Sequence, residues 1–377
     1  MFDVFVSTFY WNNYGSALQA FALQEAIKKL GHNPCILRQI NNDDDKKKIY
    51  LALRTVKRFI WQFKPEKHYG LVKKIRMYLE KNIFEERNRK IKRFCENNIQ
   101  FYDIDLANPV LPVEIESKWF IAGSDQIWNI IDRRISPLYL FSFLKGENAK
   151  KYSYAASIGL ETLTKDQIKY YEDTLFNFKS ISVREKTSCE LLKTTNLREK
   201  VRQDVDPTLL FDGEYWANIA SERLINNRYV FVFMLRPNLE LFDMARELAR
   251  KDGLSIVYTG LMSYKFDDVI PKLDVGVEDF LSLIQNAEYI ITNSFHGTCF
   301  STQFKKRFVS VKIESTGTRA RDFLKSVGLE ERLIDGKEEI SVIDTAIDYE
   351  NVNKRLNKMR TTSINYLSSI FNDLAGA

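Results

Sequence analysis

The sequence predicts an α/β fold with two domains that face a cleft. The 377 residues exceed the usual size of a single domain. Strand-like runs, each followed by a polar turn and a helical stripe, recur in both halves of the chain, as in parallel β-α-β units. Because ligands bind at the carboxyl ends of such strands, two halves of similar size imply a cleft between them. We assign residues 1–211 to the first domain, 228–345 to the second and 346–377 to a closing helix.

The first β-α-β unit begins at the N-terminus. Residues 2–8 alternate like a strand, a polar and aromatic turn follows, and Ser16 is placed to cap a helix that ends near Gly31. The unit has no GxGxxG motif, so the dinucleotide fingerprint is absent. The turn nevertheless puts Asn13, Gly15 and Ser16 at a helix N-terminus, where a phosphate, a carboxylate or a sugar hydroxyl can bind. The alternative is a turn whose side chains only cap the helix.

A helical, basic insertion is predicted at residues 41–111. Basic residues far outnumber acidic ones between positions 46 and 93. One helical stripe in this segment is apolar and consists of Ile49, Leu53, Val56, Ile60 and Phe63. A basic amphipathic helix can lie on an anionic membrane surface, or it can pack its stripe on the domain. The segment has no RNA-binding signature and the acidic run 43–45 lacks calcium-loop spacing, so we predict neither a nucleic-acid partner nor a metal site.

Polar clusters follow further strands of the first half. The residues at these strand ends are Gly123, Ser124, Asp125, Gln126, Ser157 and Arg184. Asp125 can act as a general base or accept a hydrogen bond from a sugar hydroxyl, or it can cap the next helix. Arg184 can bind an anion through two parallel hydrogen bonds, or it can form an ion pair with Glu185 or another acid.

His296 is the first candidate for a catalytic side chain. It lies between strand-like runs at 287–291 and 308–311, in a polar turn that leads into a short helix. This turn and helix start contain Ser294, Phe295, His296, Gly297 and Thr298. A histidine at this place faces free backbone N–H groups of the helix N-terminus, which favour a bound anion. Alternatively, His296 caps the helix or packs under a loop.

The cysteines and the N-terminus indicate a cytoplasmic protein. Cys35, Cys95, Cys189 and Cys299 stand far apart among apolar neighbours and form no CxxC pair, which favours a reducing compartment. The N-terminus lacks the basic and apolar regions of a secretion signal, and no apolar run is long enough for a membrane span. We expect a cytoplasmic location, with peripheral contact at the inner face of the membrane if the basic helix binds there.

Short motifs occur in one order along the chain. They are Asn13-Tyr14-Gly15-Ser16 with Leu18-Gln19-Ala20, then GSDQIWN at 123–129, YAASIG at 154–159, SVRE at 182–185, DPT at 206–208 and TNSFHG at 292–297, followed by Arg319 and Arg321. In order and spacing they resemble the polysaccharide pyruvyl transferase family over residues 2–332. Arg307 stands where members often have proline before the next strand, and the insertion carries no family motif.

The resemblance implies two Rossmann-like domains arranged as in B-type glycosyltransferases, with residues 1–211 on the acceptor side and residues 228–345 on the donor side. It also implies phosphoenolpyruvate as the donor and a sugar of a glycan or lipid-linked precursor as the acceptor. The expected product is a cyclic pyruvate ketal across two hydroxyls, with phosphate released. No nicotinamide, metal or other cofactor is required.

Roles for individual residues follow from combining the resemblance with the positions of the residues. His296 is either the general acid that protonates the enol or a ligand of the leaving phosphate, Asp125 is the base on the acceptor hydroxyl, and Arg184 is a cation for the donor. The expected substrate-binding residues are Asn13, Tyr14, Gly15, Ser16, Gly123, Ser124, Gln126, Ser157, Ser294, Phe295, Gly297, Thr298, Arg319 and Arg321. Two other functions remain open: a glycosyltransferase that uses a nucleotide sugar, and a non-catalytic protein that binds a glycan or an anion.

Overall fold

The computed structural model has the predicted α/β architecture. It describes residues 1–11, 13–40, 71–109, 111–130, 134–144, 149–313 and 318–372, with residues 71–80 and 113 described by their backbone alone. The described strands form two larger parallel sheets, one in each half of the chain, and a small two-stranded sheet. The carboxyl ends of the strands in each sheet carry most of the predicted site residues.

The first sheet has five parallel strands in the order β3-β2-β1-β4-β5. Its strands are β1 Val4–Ser7, β2 Pro34–Ile40, β3 Phe101–Asp105, β4 Trp119–Ala122 and β5 Lys150–Ser153. Two further strands, β6 Ile181–Val183 and β7 Val201–Gln203, pair with each other in parallel. Isolated bridges from Tyr152 to Ser180 and from Ala156 to Val183 attach this pair to the edge of the first sheet. The loops after β4, β5 and β6 therefore lie side by side.

The second sheet has six parallel strands in the order β10-β9-β8-β11-β12-β13. Its strands are β8 Tyr229–Met234, β9 Ser255–Gly260, β10 Val269–Pro271, β11 Tyr289–Thr292, β12 Arg307–Val311 and β13 Leu333–Ile334. The central strands β8 and β11 are completely buried, as expected for a sheet covered by helices on both faces.

Helices cover both sheets. They are α1 Tyr14–Lys29, α2 Leu71–Asn98, α3 Val113–Glu116, α4 Pro137–Leu140, α5 Lys165–Leu175, α6 Lys186–Lys193, α7 Gly213–Ala217, α8 Glu240–Asp252, α9 Val277–Gln285, α10 Phe295–Gln303, α11 Thr318–Val327 and α12 Tyr349–Asn372. The short α7 lies within residues 211–227, the segment that lacks strand character in the sequence. Among the described helices, none combines the length and apolar character that a membrane crossing requires.

The predicted insertion is shorter than expected. Residues 71–98 form the helix α2, but 101–105 form β3, so the assignment of 41–111 as a helical insertion is wrong at its C-terminal end. β3 pairs with β2 from Ile36 to Ile40 and completes the edge of the first sheet. The acidic run 43–45 and the apolar stripe from Ile49 to Phe63 lie outside the described residues.

Helix α1 connects the two halves through its first turn. Its N-cap is Asn13, whose side chain accepts a hydrogen bond from the Ser16 backbone N–H at 3.0 Å, so the assignment of Ser16 as the cap is wrong. Tyr14 is buried and stacks on Phe280 of α9 with ring centroids 4.6 Å apart. Its hydroxyl donates to the Val275 carbonyl at 3.2 Å. Tyr14 thus packs in the hydrophobic contact between the two halves.

The closing helix α12 confirms the predicted helix at the C-terminus and packs against the first half of the chain. The Tyr366 hydroxyl donates to the Ser153 carbonyl at the end of β5 at 2.8 Å. Arg360 donates to the Leu209 carbonyl at 2.8 Å, and the Ser363 hydroxyl accepts from the Val205 N–H at 3.1 Å. These contacts hold the end of β5 and the segment that follows β7.

Candidate active site

Arg184 is the centre of a buried charge cluster at the carboxyl end of β6. Its Nη1 donates to Asp206 Oδ2 at 2.6 Å and its Nε donates to Glu185 Oε1 at 3.1 Å, while Nη2 lies 3.9 Å from Asp125 Oδ1. Burial by itself would lower the pKa of Arg184, but the Glu185 and Asp206 carboxylates outweigh it and raise the pKa. The ion pair with Glu185 that the sequence left open is therefore present, together with a second partner.

Asp206 links this arginine to the histidine. Its Oδ1 accepts from the Thr208 N–H at 3.0 Å and from the Thr208 hydroxyl at 2.7 Å. Its Oδ2, besides the bond from Arg184, lies 3.6 Å from His296 Nε2, slightly beyond hydrogen-bond distance. Burial would raise the pKa of Asp206, yet the neighbouring His296 and Arg184 lower it well below its usual range. The carboxylate is thus held in its charged form inside the protein.

His296 lies in the first turn of α10, directly after β11. Ser294 is the N-cap and accepts from the Gly297 N–H at 3.3 Å, and the Thr292 hydroxyl accepts from the Ser294 N–H at 3.0 Å. These bonds fix the turn and aim the imidazole into the first half of the chain. The ring is buried, and its Nε2 has no hydrogen-bond partner. The neighbouring Thr298 hydroxyl donates to the Ser294 carbonyl at 3.0 Å, so this residue supports the turn.

The imidazole packs directly on the N-terminal turn of α1. A Cβ atom added at Gly15 would lie 2.1 Å from His296 Nδ1, a distance that real contacts do not reach. Glycine is therefore required at position 15 by the close approach of two chain segments.

We predict that Gly15→Ala displaces the His296 ring and lowers turnover at least about tenfold, because catalytic geometry tolerates little displacement. Steady-state kinetics measure the effect. Gly276→Ala is the matched control, since the nearest atom to a Cβ there lies at 3.4 Å and leaves room for a methyl group. Equal rates for Gly15→Ala and the wild type would contradict the tight contact.

Asp125 connects α1 to the arginine. The Ser16 hydroxyl donates to Asp125 Oδ2 at 2.9 Å, and Oδ1 accepts from the Gln126 N–H at 2.8 Å. Asp125 has φ +69° and is followed by a turn, so it does not cap a helix. The Ser157 hydroxyl donates to Glu185 Oε1 at 2.6 Å, which brings a further predicted residue into the network.

Arg319 lies on the other side of the cluster, in the first turn of α11. The centres of the Arg184 and Arg319 guanidinium groups lie 4.6 Å and 5.8 Å from the centre of the Phe295 ring. No ion pair or hydrogen bond joins the Arg319 side chain to the described part of the chain, and its Nε is buried without a partner. Burial and the nearby Arg184 charge lower its pKa. Two pockets share Phe295 and Arg319 in their walls.

Other predicted residues have structural contacts or lie outside the cluster. Ser124 donates to the Ala155 carbonyl at 2.7 Å, and a Cβ on Gly123 would lie 2.0 Å from the Tyr154 carbonyl oxygen. A Cβ on Gly297 would lie 2.4 Å from Thr292 Oγ1, and Gln126 Nε2 is buried without a partner. Arg321 is half exposed and pairs with Glu161 at 3.3 Å, so the structure does not bring it to the site beside Arg319.

Glu185 and Asp206 belong to the buried cluster but are not among the site residues that the sequence predicts. Both occur in the short motifs at 182–185 and 206–208, and both follow strands of the same small sheet. Their position at adjacent carboxyl ends is the signal that would have placed them beside Arg184.

The two sheets and the helices that cover them define a two-domain α/β protein of the B-type glycosyltransferase architecture. A solved UDP-N-acetylglucosamine 2-epimerase has a TM-score of 0.53 at 11% identity, over 97% of this chain and 95% of that one. The epimerase from Neisseria meningitidis bound to UDP-GlcNAc has a TM-score of 0.51 at 11% identity, over 99% of this chain and 100% of that one. At this identity the likeness establishes the fold alone.

The family model for polysaccharide pyruvyl transferase matches residues 13–315, and the chain belongs to this family. None of the curated proteins compared with the chain matches it. The matched region includes β2 to β12, with Asp125, Arg184, Asp206 and His296, and it ends shortly before Arg319.

Proposed function

We propose that the protein transfers pyruvate from phosphoenolpyruvate to a sugar of a surface polysaccharide or its precursor, forming a cyclic ketal and releasing phosphate. The observation that supports this proposal is a set of buried donors without partners: Arg184 Nη2, Arg319 Nε and His296 Nε2. Buried polar groups are almost always hydrogen-bonded in proteins, so such a group of donors is typical of a site for an anion. Phosphoenolpyruvate carries two anionic groups, a phosphate and a carboxylate.

The charges indicate which arginine holds the donor. Arg184 already pairs with Glu185 and Asp206, so most of its charge is compensated inside the chain. Arg319 has no carboxylate partner among the described residues, and a guanidinium group matches the geometry of phosphate and carboxylate oxygens. We therefore propose Arg319 as the principal donor-binding cation, with Arg184 holding the cluster in place.

The proposed reaction uses a proton and two sugar hydroxyls. Protonation of the methylene carbon by His296 makes a methyl group and leaves the neighbouring carbon electrophilic. The first hydroxyl adds to that carbon and loses its proton to Asp125. The second hydroxyl attacks the same carbon, the bond from this carbon to the phosphate oxygen breaks, and the proton of the second hydroxyl returns to the neutral His296. The proton on Asp125 leaves with the phosphate, so both side chains regain their starting forms. A general acid contributes roughly 10²–10⁴-fold to such a step. In an alternative assignment, His296 binds the departing phosphate as imidazolium.

Two other functions share the same fold. A glycosyltransferase would require a nucleotide sugar, and a binding protein would retain the cleft without turnover. The matched family favours pyruvyl transfer over both. Contact with an anionic membrane stays a prediction from residues 46–64, which lie outside the described residues. Binding of the purified protein to anionic vesicles at low salt is the test of this prediction.

We predict that phosphoenolpyruvate raises the melting temperature and that phosphate is released only when a suitable glycan or lipid-linked precursor is added. Cells that lack the protein supply the acceptor, and mass spectrometry detects the added pyruvate. Arg319→Gln should raise KM for phosphoenolpyruvate about tenfold or more, because a charge-assisted hydrogen bond is lost.

Arg321→Gln is the matched control, two residues away on the same helix and half exposed to solvent. Stabilisation and hydrolysis with a nucleotide sugar, together with no response to phosphoenolpyruvate, would overturn the proposal in favour of a glycosyltransferase. An unchanged glycan in cells that carry only His296→Ala protein would favour the binding protein.

A further inference from the structure

Arg87, on α2, is a further buried arginine, and it has no acidic partner among the described residues. The residue is nine-tenths buried. Its Nη1 donates to the Gly260 carbonyl at 2.9 Å, and its guanidinium centre lies 4.8 Å from the centre of the Phe84 ring. The Nε atom is buried without a partner. Across the described residues, no carboxylate lies within ion-pair distance of this side chain.

The electrostatics of Arg87 differ from those of Arg184. Burial lowers the pKa of Arg87, and the only opposing influences come from Tyr14 and Tyr258, which are uncharged at neutral pH. At Arg184, three carboxylates offset the cost of burial. A buried charge that nothing compensates is unfavourable, and a bound anion would offset this cost. Arg87 therefore has the electrostatic character of an anion site.

The position of Arg87 also indicates a ligand. Gly260 is the last residue of β9 and is in register with Met234, the last residue of β8. Arg236 follows two residues later, is exposed and forms no ion pair with a described residue. The Thr259 hydroxyl, adjacent to Gly260, is buried without a partner. Ligands of open α/β sheets bind at this carboxyl edge.

We propose that Arg87 and Arg236 bind the diphosphate that joins the acceptor sugar to its carrier, an inference that rests on the proposed function. The guanidinium group of Arg87 offers Nε and Nη2 to anionic oxygens, and Arg236 supplies a second charge for a second phosphate. Tyr14, which faces Arg87, immediately precedes Gly15, the residue against the His296 ring. The first turn of α1 therefore connects the proposed diphosphate site to the histidine.

The first experiment titrates inorganic pyrophosphate into the intact protein and follows heat of binding and melting temperature. We expect saturable binding by the wild type, weakened about tenfold or more in Arg87→Gln and less in Arg87→Lys, which keeps the charge. Arg360→Gln is the matched control, because burial also lowers the pKa of Arg360 and its side chain donates to the Leu209 and Phe211 carbonyls. Its affinity for pyrophosphate should equal that of the wild type.

A purely structural Arg87 would give a different result. The variant would then melt at a lower temperature but bind pyrophosphate like the wild type, and this outcome would overturn the proposal. Failure of the wild type to bind pyrophosphate, UDP and geranyl diphosphate would overturn it as well. If Arg87→Gln does not fold, Arg236→Gln tests the proposal instead, since this exposed residue can be replaced without disturbing the core. Weaker binding of pyrophosphate by Arg236→Gln supports the proposal, and unchanged binding overturns it.

UDP and geranyl diphosphate distinguish the two possible carriers of the acceptor sugar, a nucleotide and an isoprenoid. Tighter binding of UDP than of pyrophosphate supports a nucleotide-linked acceptor, and tighter binding of geranyl diphosphate supports an isoprenoid-linked one. Equal affinities that all depend on Arg87 support recognition of the diphosphate alone. Stabilisation by phosphoenolpyruvate is measured on the same samples: its absence in the wild type counts against the proposed function, whereas its retention in Arg87→Gln shows that the two sites are separate.

Discussion

Replacing His296 with alanine should lower turnover by at least about tenfold, and by roughly 10²–10⁴-fold if the imidazole is the general acid. The ring lies between Asp206 and Gly15, and its Nε2 is 3.6 Å from the Asp206 carboxylate and has no hydrogen-bond partner. Phosphate release from phosphoenolpyruvate in the presence of acceptor is the measurement. A fall in kcat indicates a role in the transition state, whereas a rise in KM alone indicates uniform binding of the donor.

His32 provides the control for this substitution. Its Nδ1 lies 2.9 Å from Asp3 Oδ2, and both residues precede the first-sheet strands, at the edge away from the cleft. His32→Ala should therefore keep the wild-type rate. Wild-type kcat and KM for His296→Ala would remove the histidine from the mechanism and require another source of the proton.

The sequence was sufficient to find the residues that follow buried strands. Asp125 follows β4 and Arg184 follows β6, the strands on either side of β5, and parallel strands bring their carboxyl ends to one edge. The turn before α10 likewise identified His296 from its position alone. The structure places these residues at the predicted strand ends because each position depends on local order, a strand followed by a polar turn.

Contacts between distant segments could not be predicted in this way. The approach of Gly15 to His296 joins residues of opposite halves, and no local pattern specifies it. Asp206 reaches both Arg184 and His296 only because the loop after β7 folds back beside β6. The sequence motif marked Asp206 without indicating its partners.

Arg319 and Arg321 show how helix geometry separates two neighbouring arginines. Successive residues of an α-helix are rotated by about 100°, so residues two apart point in nearly opposite directions. In α11 this places Arg319 against Phe295 and leaves Arg321 with Glu161 at the surface. Both arginines were predicted at the site because no helix had been assigned to this segment.

The edge strand β3 was missed for a related reason, since it follows a long basic helix with little turn signal.

Replacing Asp206 with asparagine should give the largest loss of stability, about 3–5 kcal/mol at neutral pH. Asp206 is fully buried and accepts hydrogen bonds from Arg184 and Thr208, so the substitution removes a charge on which a buried guanidinium depends. Urea unfolding followed by tryptophan fluorescence gives the free energy of unfolding. Because the same carboxylate faces His296, the pH dependence of turnover should also change in any variant protein that remains folded.

The pH dependence of stability provides a sharper test. The folded-state pKa of Asp206 is lowered, so its stabilising contribution is present above the unfolded value near 4 and is lost as pH falls through the folded value. The difference in unfolding free energy between wild type and Asp206→Asn should therefore shrink between about pH 5 and 3.

Asp204 is the matched control, a buried carboxylate two residues away that pairs with Arg202 at 2.8 Å. Burial raises the pKa of Asp204, so its carboxyl group binds a proton more readily in the folded state than in the unfolded state. The unfolding free energy of the wild type should therefore rise relative to that of Asp204→Asn as pH falls. The unfolding free energy of the wild type relative to each variant should therefore change in opposite directions with pH for Asp206→Asn and Asp204→Asn, because the two carboxylates have different environments. Parallel slopes, or an Asp206→Asn protein as stable as the wild type, would show that Arg184 and His296 do not hold this carboxylate in its charged form.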